Sequence, residues 1–475
     1  MKRNFSFKLY FILITIVFCF ANEIKAQTPE EFLIGNWMGN IEFQGKKLAL
    51  VLRVKFLEND SVVAFMDSPD QGAKDIKVTK VKFKNDSVFI RAKSLGVSIS
   101  GILNSTDSTI SGIFRQSIFN CPITLKKIDK IPEINRPQEP KPPFAYNIDT
   151  IRFENIIDKI ALAGTVTTPK TSGKFPAVVL ISGSGPQNRD EELMGHKPFL
   201  IIADYLTSNG IAVLRYDDRG IAKSKGDFAS ATSYDFANDA EAAVNYLKTL
   251  DNIDTNKIGL IGHSEGGMIA PLIASRNKSI GFIVLLAGPG LSGEEILIRQ
   301  SALIARASKE KEEDIADAMK LNKMIYKIIN KEKDNSIATK KIRKVYDKHT
   351  KASTTEEKLK SEMQRDAMIQ QILSPWFRTF LSFDPKKYLT KTHCAVLALN
   401  GGNDLQVPPD EDLAAIEKYL KKAGNMHYTI KKLPNLNHLF QTCKTGSPDE
   451  YGKIEETFSP DALLIVKDWI KEITK

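Results

Sequence analysis

The stretch GLIGHSEGGMIA, Gly259 to Ala270, passes from apolar residues through a Gly-x-Ser-x-Gly pentad into a segment of helical character. A serine flanked by glycines, where a buried strand turns into a helix, is how a nucleophile is raised on the tip of a sharp turn. The helix N-terminus behind it then favours developing negative charge. The pentad alone is weak, since a chain of this length and glycine content meets it by chance about once in ten. A glycine-rich turn that merely contains a serine needs no partners. A nucleophile needs a base, an orienting acid and oxyanion donors on the same edge of the fold.

Outward from Ser264 the chain alternates apolar runs with helical stretches. In order these are AVVLISGSG, a helix over 196–209, IAVLRYDDRG, a helix over 235–250, IGLIGHSEGG, a helix over 267–276, and GFIVLLAGPG. The alternation resumes with CAVLALNGGND, a helix over 410–423, YTIKKLPNLNH and a helix over 460–473. Buried strands alternating with helices predict an α/β fold whose mostly parallel sheet is covered on both faces, with ligands at the carboxyl ends of the strands. A hairpin, TIRFENIIDKIALAGTVTTP, precedes the first of these runs.

The residues at those strand ends supply the partners. CAVLALNGGND ends in Asp404 and YTIKKLPNLNH in His438, giving the order Ser, Asp, His. His427 is the competing base, but it stands at the amino end of its strand, on the opposite edge of the sheet. His263 lies inside the turn, His196 opens a helix, His349 falls in a charged insertion and His393 precedes a strand. Asp410 and Asp412 read as surface acids in the first turn of a helix. For the oxyanion, the loop ISGSGP offers the Ser184 amide, with Gly185 as the alternative, and the residue after the nucleophile offers the Glu265 amide.

Together SGSGPQNRDE, RYDDRG, GHSEGG, SPWFRTFLSFDP, LALNGGNDLQVP and NLNHLF resemble bacterial exported serine carboxylesterases of the α/β-hydrolase superfamily, over about two-thirds of the chain. The resemblance implies hydrolysis of short-chain acyl esters without a cofactor or metal. One departure is visible: relatives often read Arg-Gly-x-Gly-x-Ser where this chain has RGIAKS, with Ala222. The helix-rich insertion over about 291–391 falls where this fold commonly carries a cap. Within it Trp376 and Phe377 are candidate walls of a substrate pocket, or residues that pack the cap onto the core.

The first third of the chain carries less chemistry. Lys2, Arg3 and Lys8, an apolar run from Leu9 to Phe20 and Ala26 at a cleavage point predict a signal peptide over 1–26, hence a secreted or periplasmic protein. Twelve apolar residues rise only about 18 Å as a helix, too short for stable membrane insertion. Residues 27–130 alternate apolar and polar positions between turns such as KNDSV, and predict a small antiparallel β domain, a barrel or sandwich, with a packing or carbohydrate-facing role. Five prolines within IPEINRPQEPKPPFAYN predict an extended linker over 131–147 before a catalytic domain over 148–475. Deletion of residues 27–140 is then expected to spare hydrolysis of small soluble esters.

Composition limits the partners. The 475 residues carry a formal charge of +10, which falls to +7 when the signal segment leaves with its four Lys or Arg and one Glu. Residues 306–366 hold 17 basic against 12 acidic side chains with the signs interspersed, a solvated helical surface and not a nucleic-acid stripe. Cys121, Cys394 and Cys443 form no regular framework, and no Cys-x-x-Cys or His-x-x-x-His pair suggests a metal. The partner implied is a small-molecule or carbohydrate ester. Two other readings stay open: an exported serine peptidase or amidase using the same triad, and a non-enzymatic binding protein on a hydrolase fold.

Overall fold

The computed structural model describes residues 32–43, 46–56, 62–69, 73–116, 119–131, 135–349 and 355–475. The expected signal peptide lies outside them. They divide into two compact units, one formed mainly before residue 132 and one running from there to the C-terminus.

The first unit is a single antiparallel sheet of nine strands: β1 (Gly35–Phe43), β2 (Lys46–Phe56), β3 (Val62–Ser68), β4 (Ala73–Lys77), β5 (Lys80–Lys84), β6 (Ser87–Ala92), β7 (Val97–Asn104), β8 (Thr109–Gln116) and β9 (Phe119–Ile128). Their order is β4-β3-β2-β1-β9-β8-β7-β6-β5, so it is one sheet and not two stacked ones. Alternation decides which face is buried: in β6, Val88, Ile90 and Ala92 are buried while Ser87 and Arg91 are exposed. The turn in KNDSV places Asn85 and Asp86 at φ 46° and 61°, so that Lys84 pairs with Ser87. Two positive φ values at a two-residue turn match the twist of the flanking strands, and Asn and Asp tolerate them.

The second unit is built on β10 (Tyr146–Asn155), β11 (Ile160–Pro169), β12 (Phe175–Ile181), β13 (Ala212–Tyr216), β14 (Ile253–His263), β15 (Phe282–Leu286), β16 (Ala395–Gly401) and β17 (Tyr428–Leu433). Their order is β10-β11-β13-β12-β14-β15-β16-β17, antiparallel at the β10–β11 and β11–β13 edges and parallel from β13 onward. This is the α/β-hydrolase arrangement. The strands are nearly continuous apolar runs because both faces are covered. Ala177, Val179 and Ile181 of β12 pack under α2 (Ser233–Leu247) and α3 (Glu265–Arg276), while Val178 and Leu180 face α1 (Pro198–Ser208) and α12 (Pro460–Ile473).

Between β15 and β16 runs the cap, comprising α4 (Gly293–Ala307), α5 (Glu312–Lys331), α6 (Asn335–His349), α7 (Thr355–Ile372), α8 (Pro375–Ser382) and the short α9 (Lys386–Leu389). It has a core of its own, in which Ile298, Ile325, Ile329, Ile342, Ile369 and Phe377 meet. The remaining helices are α10 (Pro409–Lys422) and α11 (Pro448–Tyr451).

The proline-rich segment is held against the rest of the second unit by its polar residues. The Arg136 guanidinium donates to the carbonyls of Ile454 at 2.7 Å, Met194 and Gly452 at 3.0 Å and Gly195 at 3.3 Å. Gln138 accepts from the amides of Thr457 and Phe458 and donates to the Phe458 carbonyl. Prolines remove backbone donors from such a segment, so side chains must provide its anchors.

Candidate active site

Strand β14 ends at His263, and Ser264 makes the turn into α3 with φ 53° and ψ −115°. A non-glycine residue there stores about 1–3 kcal/mol of strain, so the surroundings must hold it. They do so through the Ser264 amide, which donates to the Leu286 carbonyl of β15 at 2.9 Å. Both glycines of the pentad are required by close approach. A Cβ on Gly262 would overlap the Gly266 carbonyl, and one on Gly266 would overlap the Ile181 carbonyl of β12.

Asp404 lies three residues beyond β16. Its Oδ1 accepts the amides of Gln406 at 2.8 Å and Val407 at 3.0 Å, which leaves Oδ2 aimed at His438 Nδ1, 2.8 Å away. Both side chains are buried. A carboxylate at Nδ1 assigns the proton to that nitrogen and leaves Nε2 as the acceptor. His438 sits in a loop pinned by Asn437, whose Oδ1 accepts from the Leu439 and Gln441 amides. His427 is exposed at the amino end of β17, where its carbonyl accepts from Val396. The parallel register of β16 and β17 puts it at the opposite edge from His438.

The loop after β12 reaches Ser264 closely: a Cβ on Gly183 would come within 3.2 Å of the Ser264 Cβ. Asp218 holds this loop by accepting from the Ser182 hydroxyl and the Gln187 amide, each at 2.9 Å. Burial pushes the Asp218 carboxyl up to about 8 against those hydrogen bonds. Arg189 adds a two-pronged bond to Asp217, at 3.0 and 2.6 Å, and Arg215 pairs with Asp190, so NRDE and RYDDRG interlock. Ala222, where the resembled pattern has glycine, adopts φ 46°, a conformation glycine takes at no steric cost. The Gly183 amide is already engaged by Glu191 at 2.7 Å, while Ser184 lines the cavity beside Ser264.

Glu265 carries a second feature beyond its amide. Its carboxylate is buried and accepts from Ser233 Oγ at 2.6 Å, from Trp376 Nε1 at 3.0 Å to both oxygens, and from the Ser184 hydroxyl. Burial raises its pKa, and those donors partly offset the rise. The cap helix α8 is thereby tied to the turn that bears Ser264.

A cavity of about 250 Å³ opens over Ser264 and His438. Ile296, Leu297, Trp376 and Phe380 form its cap side, and Gln300 donates to Gln406 at 3.1 Å across it. Phe377, expected at the wall beside Trp376, is not among the lining residues; it packs in the cap core against Tyr326. On a helix Trp376 and Phe380 share a face, whereas Phe377 is turned about 100° away. Asp412, expected as a surface acid, is also inside. It accepts the amides of Gly290 at 2.7 Å and Leu291 at 2.9 Å, and burial pushes it up to about 7. Glu191, His263, Gln406 and Arg136 were not singled out by motif. Only QNRDE and GHSEGG, as charged residues beside glycine-rich turns, gave any signal for the first two.

Residues 199–442 match the family described as serine aminopeptidase, S33 (Hydrolase_4). The chain is 30% identical over 294 residues to the esterase EstD of Thermotoga maritima, covering 62% of this chain and 61% of that protein, so it spans about three-fifths of that relative's length. It is 22% identical over 280 residues to an uncharacterised 31.7 kDa protein of Escherichia coli, covering 57% and 89%. The solved structure of the Pyrococcus furiosus esterase Pf2001 aligns over 73% of this chain and 100% of its own, at 15% identity and a TM-score of 0.44.

Proposed function

Since the chain belongs to the serine aminopeptidase S33 family, matching it over just over half its length, we propose that it is an exported serine hydrolase that cleaves carboxylic esters with short acyl groups. Ser264 Oγ attacks the ester carbonyl as its proton passes to His438 Nε2. Asp404 holds the imidazole in the receptive tautomer and stabilises the imidazolium. The amides of Ser184 and Glu265 receive the oxyanion, each such donor being worth about 3 kcal/mol in the transition state. The protonated His438 then returns its proton to the departing alcohol, and water, deprotonated by the same histidine, releases the acid from the acyl-enzyme.

The observation that carries this reading is the 2.8 Å contact of His438 Nδ1 with Asp404, in a cavity that both His438 and the strained Ser264 line. Esters are favoured over N-terminal peptides by the state of the lining carboxylate. Glu191 Oε1 is occupied by the Gly183 amide and His263, and the carboxylate is buried, which leaves it ill placed to receive a substrate ammonium. A cavity of about 250 Å³ under apolar cap residues suits a short acyl chain. Export rests on Lys2, Arg3, Lys8, the Leu9–Phe20 run and Ala26.

The test is a panel of acetyl to long-chain acyl esters, acetylated sugars and aminoacyl amides, with a fluorophosphonate label mapped by mass spectrometry. Turnover of short esters and a single label on Ser264 are expected. Preferred cleavage of the amides, or a label elsewhere, would replace the ester reading.

A further inference from the structure

The ring of His263 makes two contacts with acceptors. Its Nε2 lies 3.0 Å from the main-chain carbonyl of His438, and its Nδ1 lies 2.9 Å from Glu191 Oε1. That same oxygen takes the Gly183 amide at 2.7 Å. A carbonyl can only accept, so Nε2 bears a proton. With Glu191 ionised, Oε1 accepts from both the Gly183 amide and Nδ1, so Nδ1 bears a proton as well. We propose, on the reading that His438 is the base for Ser264, that His263 is a doubly protonated imidazolium paired with Glu191, and that this buried pair positions the catalytic histidine and the oxyanion loop together.

The pair joins three segments of the site. His263 immediately precedes the nucleophile, its Nε2–H fixes the main chain of His438, and Glu191 fixes Gly183, the neighbour of Ser184. Both side chains are buried. Glu191 itself adopts φ 50°, a strained conformation for a residue with a long side chain, so the surroundings hold the carboxylate where it is. The rings of His263 and His438 have centroids 4.9 Å apart. Burial works against a charged ring at 263, but the Glu191 charge and hydrogen bond, the His438 carbonyl and the Asp404 charge together raise its pKa above the ordinary histidine value. The ionisable groups facing the pair are His438 and Asp404 from the loops after β17 and β16, and Asp218, which senses Glu191 from the loop after β13.

Replacing Glu191 by Gln keeps the shape and removes the counter-charge. The ring then retains one proton, and it must abandon either the His438 carbonyl or the acceptor shared with Gly183. The experiment is nitrogen-15 imidazole NMR of the histidine-labelled full chain at pH 8, with His263 assigned by its loss in His263→Gln, alongside kinetics of Glu191→Gln on a short-chain ester. Two protonated ring nitrogens are expected at His263 in the native protein and one in Glu191→Gln. The Glu191→Gln kcat is expected to fall about 10- to 100-fold with KM within about threefold, because the loss is in alignment and not in substrate contact. A native His263 with a single proton at pH 8 overturns the proposal whether or not the variant folds, and so does a folded Glu191→Gln with kcat within about twofold of native. Activity of Ser264→Ala reports separately on the serine: if that variant still hydrolyses the ester, the catalytic reading falls while the protonation of His263 is judged on its own spectrum.

Discussion

Replacing Arg136 by Ala removes a guanidinium that donates to five main-chain carbonyls, three of them at 2.7–3.0 Å. Hydrogen bonds to a charged donor contribute about 1.5–3 kcal/mol each, and the short three set an upper range of about 5 kcal/mol or more. Arg136 is half-buried, and burial lowers its pKa, so removing it also relieves a desolvation cost. The net loss is then about 3–4 kcal/mol. With an unfolding entropy near 2.1 cal/mol/K per residue over a unit of roughly 350 residues, that lowers Tm by about 5 °C. The same residue staples 194–195 to 452–454, between Leu193, His196 and Thr457 of the cavity wall, so kcat/KM on a short ester should drop about three- to tenfold. Arg136→Lys, which keeps the charge but not the planar fork, should recover part of the loss. Circular-dichroism melting and steady-state hydrolysis measure both. A Tm within about 1 °C of native with unchanged kcat/KM would refute the idea that this segment supports the wall. Truncation through residue 140 removes Arg136 and Gln138 with the β domain and should show at least the same loss, whereas truncation through 134 should not.

Three other outcomes are expected. His438→Ala should lower kcat by at least about a thousandfold and Asp404→Asn strongly but less, whereas His427→Ala should stay within about threefold; an inactive, folded His427→Ala beside an active His438→Ala would reverse the assignment. Trp376→Ala deletes the cap-side wall and a donor to Glu265, so kcat/KM for a longer acyl chain should rise about tenfold relative to acetate; an unchanged chain-length profile would remove Trp376 from the pocket. His196 is held neutral by burial, with its pKa lowered to about 4 against the opposing Tyr451 carbonyl. The unfolded chain takes up that proton near pH 6.5 and the folded one only near 4, so stability should fall by about 2 kcal/mol as pH drops through that window, solvent screening reducing the full linkage value of about 3. Urea titrations of native and His196→Gln at pH 7 and 4 that lose stability in parallel would contradict this.

Asp404 and His438 were legible because parallel strands place their carboxyl ends on one edge, so an apolar run followed by an acid or a histidine carries positional information. Order along the chain separated His438 from His427 for the same reason. Phe377 was misplaced because adjacency in sequence says nothing of the helix face, and Asp412 because a first-turn acid reads as exposed unless its amide partners at Gly290 and Leu291 are known. The contacts of His263 with Glu191 and of Arg136 with residues near 194 and 453 join positions 72, 58 and more than 300 apart. No periodicity marks them, since each depends on where loops come to lie and not on how strands repeat.

The cap interrupts the chain at a place where the chain has to cross over anyway. Strands β15 and β16 are parallel neighbours, with Phe282 opposite Ala395, and such neighbours cannot be joined by a hairpin. A bare crossover needs about a dozen residues, and stretching it to the hundred or so found between Leu286 and Ala395 adds only about 2 kcal/mol of closure entropy. Because the cap buries its apolar side chains largely against one another, that cost is met within the insertion itself. Mutation can therefore lengthen, trim or rewrite the segment without moving the strand pair that carries the serine's neighbour on one side and the acid on the other.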